Sequence, residues 1–93
     1  MDERDKIEKL DISELGLKDD LSLEGFTNLK KLDCSYNELI DLKINDCQKL
    51  EYLDCSSNEL FELDVRDNKE LQELHANHNK IGETNFTGLN AYF

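Results

Sequence analysis

Leu29-Lys30-Lys31-Leu32-Asp33-Cys34-Ser35-Tyr36-Asn37-Glu38-Leu39 and Leu50-Glu51-Tyr52-Leu53-Asp54-Cys55-Ser56-Ser57-Asn58-Glu59-Leu60 are almost the same segment written twice, 21 residues apart. The same shift carries on to Leu71, Leu74, Ala76, Asn79 and Ile81, and it also aligns Leu42 with Leu63 and Ile44 with Val65. Upstream, a shift of 22 matches Ile7, Leu10, Ile12 and Leu17 to Leu29, Leu32, Cys34 and Leu39. One extra residue between Leu17 and Leu21 restores the shift of 21 for Leu21, Leu23 and Phe26. Leu15 occupies the asparagine column there, so the first repeat is degenerate, as terminal repeats tend to be. Downstream, Thr84, Phe86, Leu89 and Tyr92 fall at the positions of Leu63, Val65, Asn68 and Leu71, and the pattern runs into the last residues.

Each repeat contains a short alternation. In Leu32-Asp33-Cys34 the leucine and the cysteine point one way and the aspartate the other, which describes a strand with an apolar inner and a polar outer face. Strands repeated at a fixed period stack in parallel, about 4.8 Å apart. Small inner residues such as Cys34, Cys55 and Ala76 suit a tightly wound interior. After the strand the chain has to turn, and Asn37, Asn58 and Asn79 stand at that place. A short amide can bond turn backbone groups that would otherwise be stranded inside the coil, and stacked amides form a structural ladder. The return limb, Leu42 to Cys47 and its equivalents, is too short for a regular helix and has no helical stripe. Extended chain, turns or one turn of 3₁₀ helix are expected there.

These columns resemble the leucine-rich-repeat signature L-x-x-L-x-L-x-x-N-x-L, with short 21-residue repeats of the kind seen in bacterial and fungal arrays. The resemblance implies a leucine-rich-repeat solenoid of about four coils, with short parallel strands on the concave side and turns, extended or 3₁₀ segments on the convex side. It also implies a single domain over residues 1–93, with repeats at about 7–28, 29–49, 50–70 and 71–91 and a truncated C-terminal end as the alternative. Members of the family usually bind other proteins through the concave face. Carried over residue by residue, that face holds Lys31, Asp33 and Ser35, then Tyr52, Asp54 and Ser56, then Glu73, His75 and Asn77, with Lys9, Asp11 and Ser13 from the first repeat. Tyr36, Ser57 and His78 lie just beyond the strands. Aromatic side chains commonly anchor such contacts, which singles out Tyr36 and Tyr52. The column Asp11, Asp33, Asp54 adds an acidic stripe suited to a partner with a basic surface.

Composition narrows the function classes. Twenty-two acidic and 11 basic residues give a net charge of −11. Such a surface repels phosphate backbones and anionic lipid heads, so neither nucleic acid nor membrane is an expected partner. No run of about 18 apolar residues is present, and the charged start, Met1 to Lys6, does not read as a secretory signal. Three cysteines without paired spacing point towards a reducing, cytoplasmic setting. Cys34 and Cys55 are expected as neighbouring buried thiols. His75 faces outward and these cysteines inward, so no metal site assembles from them. No nucleophile–base pair and no glycine-rich phosphate loop can be built, so no cofactor and no catalysis are expected. Asn85-Phe86-Thr87 matches the glycosylation sequon, which matters only in a secreted chain. The expected function is therefore a non-catalytic protein–protein interaction module. The alternative is a self-assembling or fragmentary solenoid, the N-terminal part of a larger protein, associating end to end through the C-terminal edge around Phe86, Leu89, Tyr92 and Phe93.

Overall fold

The computed structural model describes residues 2–82 and 85–88. After a 3₁₀ turn at Arg4–Lys6 the chain winds through eight short strands: β1 (Lys9–Asp11), β2 (Lys18–Ser22), β3 (Lys31–Asp33), β4 (Glu38–Lys43), β5 (Tyr52–Asp54), β6 (Leu63–Asp64), β7 (Glu73–His75) and β8 (Phe86–Thr87). All pairings are parallel, and β1, β3, β5 and β7 form one four-stranded sheet in that order. The register follows the sequence columns. Leu10 lies opposite Leu32, Leu32 opposite Leu53, and Leu53 opposite Leu74. The result is a parallel-strand solenoid of about four turns with no α-helix among the described residues. No helix there is long and apolar enough to cross a membrane.

The inward columns make the core. Leu29, Leu32, Cys34 and Leu39 from the second coil and Leu50, Leu53, Cys55 and Leu60 from the third are fully buried. Their first-coil equivalents, Ile7, Leu10, Ile12 and Leu17, are only partly buried, since among the described residues no further coil stacks on their outer side. The cysteines are free. Burial pushes the Cys55 thiol up to about 12, the Cys47 thiol up to about 11 and the Cys34 thiol upward as well, so all three remain protonated packing groups. Arg4 braces the open end. Its guanidinium grips the Asp2 carboxylate, at 2.7 Å for the closest pair, and donates to the Glu24 carbonyl. It lies so close to Gly25 (φ +87°) that a Cβ there would stand 2.8 Å from the guanidinium carbon.

The return limb is extended chain and turns, two of the expected forms, and part of the extended chain pairs as strand. β2 pairs with β4 and β6 with β8. The β2–β4 register shifts between Asp19 and Asp20, where the first repeat carries its extra residue, and Asp19 takes a left-handed φ of 63°. Between the second and third coils the limb sheet is interrupted. β4 and β6 do not pair, and a hollow beside them is lined by Asp41, Lys43, Glu62 and Asp64 among others. In the fourth coil Phe86 lies opposite Leu63 rather than in the Val65 column where the 21-residue shift puts it. The step from Ile81 to Phe86 is five residues, against three from Leu60 to Leu63. Across this longer step the Asn85 N–H donates to the Gly82 carbonyl at 3.0 Å. The expected self-association edge at Leu89, Tyr92 and Phe93 lies outside the described residues.

Candidate functional site

The outer face of the four-stranded sheet is two rows of side chains in register. Lys9, Lys31, Tyr52 and Glu73 form one row, and Asp11, Asp33, Asp54 and His75 the other. Tyr52 stands at the centre. The Lys31 ammonium sits 4.7 Å from its ring centroid, and the His75 ring packs at 5.6 Å, tilted by 53°. His75 Nε2 meets a Glu73 carboxylate oxygen at 2.6 Å, and that hydrogen bond raises the imidazole pKa above its ordinary value. Burial and the Asp54 and Glu73 charges raise the Tyr52 phenol as well. A shallow depression opens beside Tyr52, walled by Lys9, Asp11, Lys31 and Asp33. The first two strands thus present lysines against aspartates, and in the last strand Glu73 and His75 satisfy one another.

Each aspartate of the face also has a local task. One carboxylate oxygen of Asp11, Asp33 and Asp54 accepts from both the backbone N–H and the hydroxyl of the serine two residues on, at 3.0 Å and about 2.6 Å. This clasp fixes the carboxylate through one of its two oxygens. The hydrogen bonds from Ser13 hold the Asp11 carboxyl below the usual carboxylate range. The clasp also corrects the expected face. Ser35 and Ser56 are buried, because their hydroxyls fold under the aspartates as the chain enters its turn. Asn77, which replaces the serine in the fourth coil, is exposed. Tyr36 is 64% exposed but sits in the turn with φ +56°, off the strand rows. Glu14, Ser57 and His78 share that left-handed geometry in the other coils, with φ of 55° to 57°.

Behind the face, the asparagines bridge coils. The Asn58 amide nitrogen reaches the Cys34 carbonyl of the preceding coil and the Cys55 and Ser56 carbonyls of its own, and its oxygen accepts from Leu39 N–H. Asn37 does the same for Ile12, Cys34 and Ser35, accepting from both Leu15 and Leu17, and Asn79 reaches Cys55 and accepts from Leu60. A second bridging asparagine is not foreseen from the sequence. Asn68, fully buried in the opposite bend, donates to the Ile44 and Cys47 carbonyls. Its equivalent Cys47 approaches the Leu23 carbonyl at 3.9 Å in the same way. A polar residue in an otherwise apolar column, Phe26, Cys47, Asn68, was the available signal.

Residues 28–50 match the family model described as Leucine Rich Repeat, and none of the curated proteins compared with the chain matches it. The matched stretch is one turn of a solenoid whose other turns repeat its strand and inward leucines, and two of which, at Asn58 and Asn79, repeat its bridging asparagine, so the chain has the fold of a leucine-rich-repeat protein. Repeats of this fold generally mediate protein–protein interaction and are typically non-catalytic.

Proposed function

We propose that this chain is a non-catalytic recognition module that holds a protein partner with a basic surface on the outer face of the β1-β3-β5-β7 sheet. The observation that carries this reading is the in-register row Asp11, Asp33, Asp54, with its carboxylates oriented by the serine clasps, beside the ring of Tyr52. Preorganised carboxylates accept lysine or arginine side chains without first losing side-chain freedom, and a half-covered aromatic supplies the apolar contact. The net charge of −11 steers such a partner inward. A cytoplasmic setting, with the repeats acting as one domain, accompanies this proposal.

The test is affinity capture from a lysate, with partners ranked by their loss on Tyr52→Ala and on Asp54→Lys. A partner whose capture falls at least tenfold with both variants supports the strand face. A partner captured equally by wild type and both variants rules this face out.

A further inference from the structure

Four large apolar side chains are left exposed among the described residues, and none of them is on the strand rows. They are Leu15, Tyr36, Ile40 and Phe61. Two of these stand side by side. Ile40 and Phe61 occupy the same column in successive coils, 41% and 46% exposed, in a hollow on the flank where β2 and β4 begin. Along the rim one column, with one residue per coil, holds Lys18, Glu38, Glu59 and Lys80, and Asp19 lines the hollow next to Lys18, one position out of that column. The column reads plus, minus, minus, plus, with the apolar pair beside its acidic middle.

We propose that this flank is a second docking surface, separate from the strand face, and that its occupant is an amphipathic helix of another protein laid across the coils. The helix would carry an acid–base–base–acid stripe beside two apolar residues. Coils repeat about every 4.8 Å, so the four rim charges span about 14 Å. Helix positions i, i+3, i+7 and i+10 span about 15 Å on one stripe, at 1.5 Å per residue. The rim charges thus match a helical charge pattern in spacing as well as in sign. The Lys80–Glu59 ion pair, 2.9 Å long and largely exposed on both sides, is readily exchanged for contacts to the incoming helix. A second copy of the chain does not fit. A two-fold arrangement centred on the flank sets Lys18 against Lys80 and Glu38 against Glu59, like against like, between two molecules of −11 charge each.

The test uses three alanine-based helical peptides, titrated into the isotope-labelled chain and followed by NMR. One carries Glu, Lys, Lys, Glu at i, i+3, i+7 and i+10 with a leucine beside each lysine. The second has every charge reversed, and the third has serine for leucine. The first should shift the Ile40 methyl and Phe61 ring signals and bind at least tenfold more tightly than the other two. Ile40→Ser with Phe61→Ser should abolish that difference, and Glu38→Lys with Glu59→Lys should transfer the preference to the reversed peptide. Equal binding of the first two peptides, or shifts confined to the Tyr52 face, would overturn the proposal. So would a concentration-dependent dimer that Phe61→Ser dissolves, since a second copy would then be the occupant. Tyr52→Ala leaves flank binding intact, which separates this outcome from failure of the strand-face reading.

Discussion

Asn58 serves two coils with one side chain. Truncation to alanine strands the Leu39 N–H and removes the donor shared by Cys34, Cys55 and Ser56, all in buried surroundings. At roughly 1–3 kcal/mol for each buried group left without a partner, Asn58→Ala should cost about 3 kcal/mol or more, read as the fall in urea-unfolding free energy. The residue before it acts in the opposite direction. Ser57 is held at φ +57°, where an L side chain is disfavoured and glycine is not. Ser57→Gly keeps the N–H that donates to Asn77 and should raise stability by roughly 0.5–1 kcal/mol in the same measurement. The asparagine was legible because it recurs in one column of three repeats. The left-handed position was not, since Glu14, Tyr36, Ser57 and His78 share no chemistry, and a conformation imposed by the coil leaves no mark on composition.

At the scale of the strand, the alternation tells inward from outward for the apolar residues, and less well for the polar ones. Period two places Lys31 and Asp33 on one face and Leu32 on the other. It fails one step later, at Ser35 and Ser56, because the strand ends at the aspartate and the serine already belongs to the turn. The return limb was less legible still. Its strands depend on how many residues each coil spends in the bend, and this changes at Asp19 and again before Phe86. In β7, His75 gives the face a pH response. Its pKa is raised by the Glu73 hydrogen bond, so the imidazole is charged below the raised pKa and neutral above it. The Glu73–His75 contact therefore contributes stability below the ordinary value of 6.5 and loses it as pH rises through the raised value. Glu73→Gln should return the His75 titration, followed by NMR of the ring protons, towards that ordinary value. A basic partner on the strand face should bind more tightly once His75 loses its charge beside Asp54.

Across the whole molecule, burial is greatest in the middle coils. Leu32, Leu39, Leu53 and Leu60 are fully covered, whereas Leu10, Leu17 and Leu74 are partly open. A stacked array of this kind gains stability from each neighbouring coil, so its ends open before its centre. Native-state hydrogen exchange should show the amides of Leu39 and Cys55 among the slowest, and that of Ile12 faster by at least tenfold. An equal rate for all three would mean that the coils open only together. The interruption between β4 and β6 marks the place where the limb is least tied across coils. Sequence periodicity reports which residues stack, and so it revealed the number of coils. It does not report which backbone edges meet, and this break left no sequence trace.

The clasp between each aspartate and the serine two residues on has an evolutionary consequence. In the first three coils the two positions are mechanically tied, so exchanging Asp33 alone releases a buried hydroxyl and a turn N–H together. Surface diversity there has to arrive as double substitutions. In the fourth coil His75 and Asn77 have replaced the pair, and His75 is bonded to Glu73 instead. That coil can change its surface one residue at a time, and it is where a lineage of such chains would acquire new specificities first.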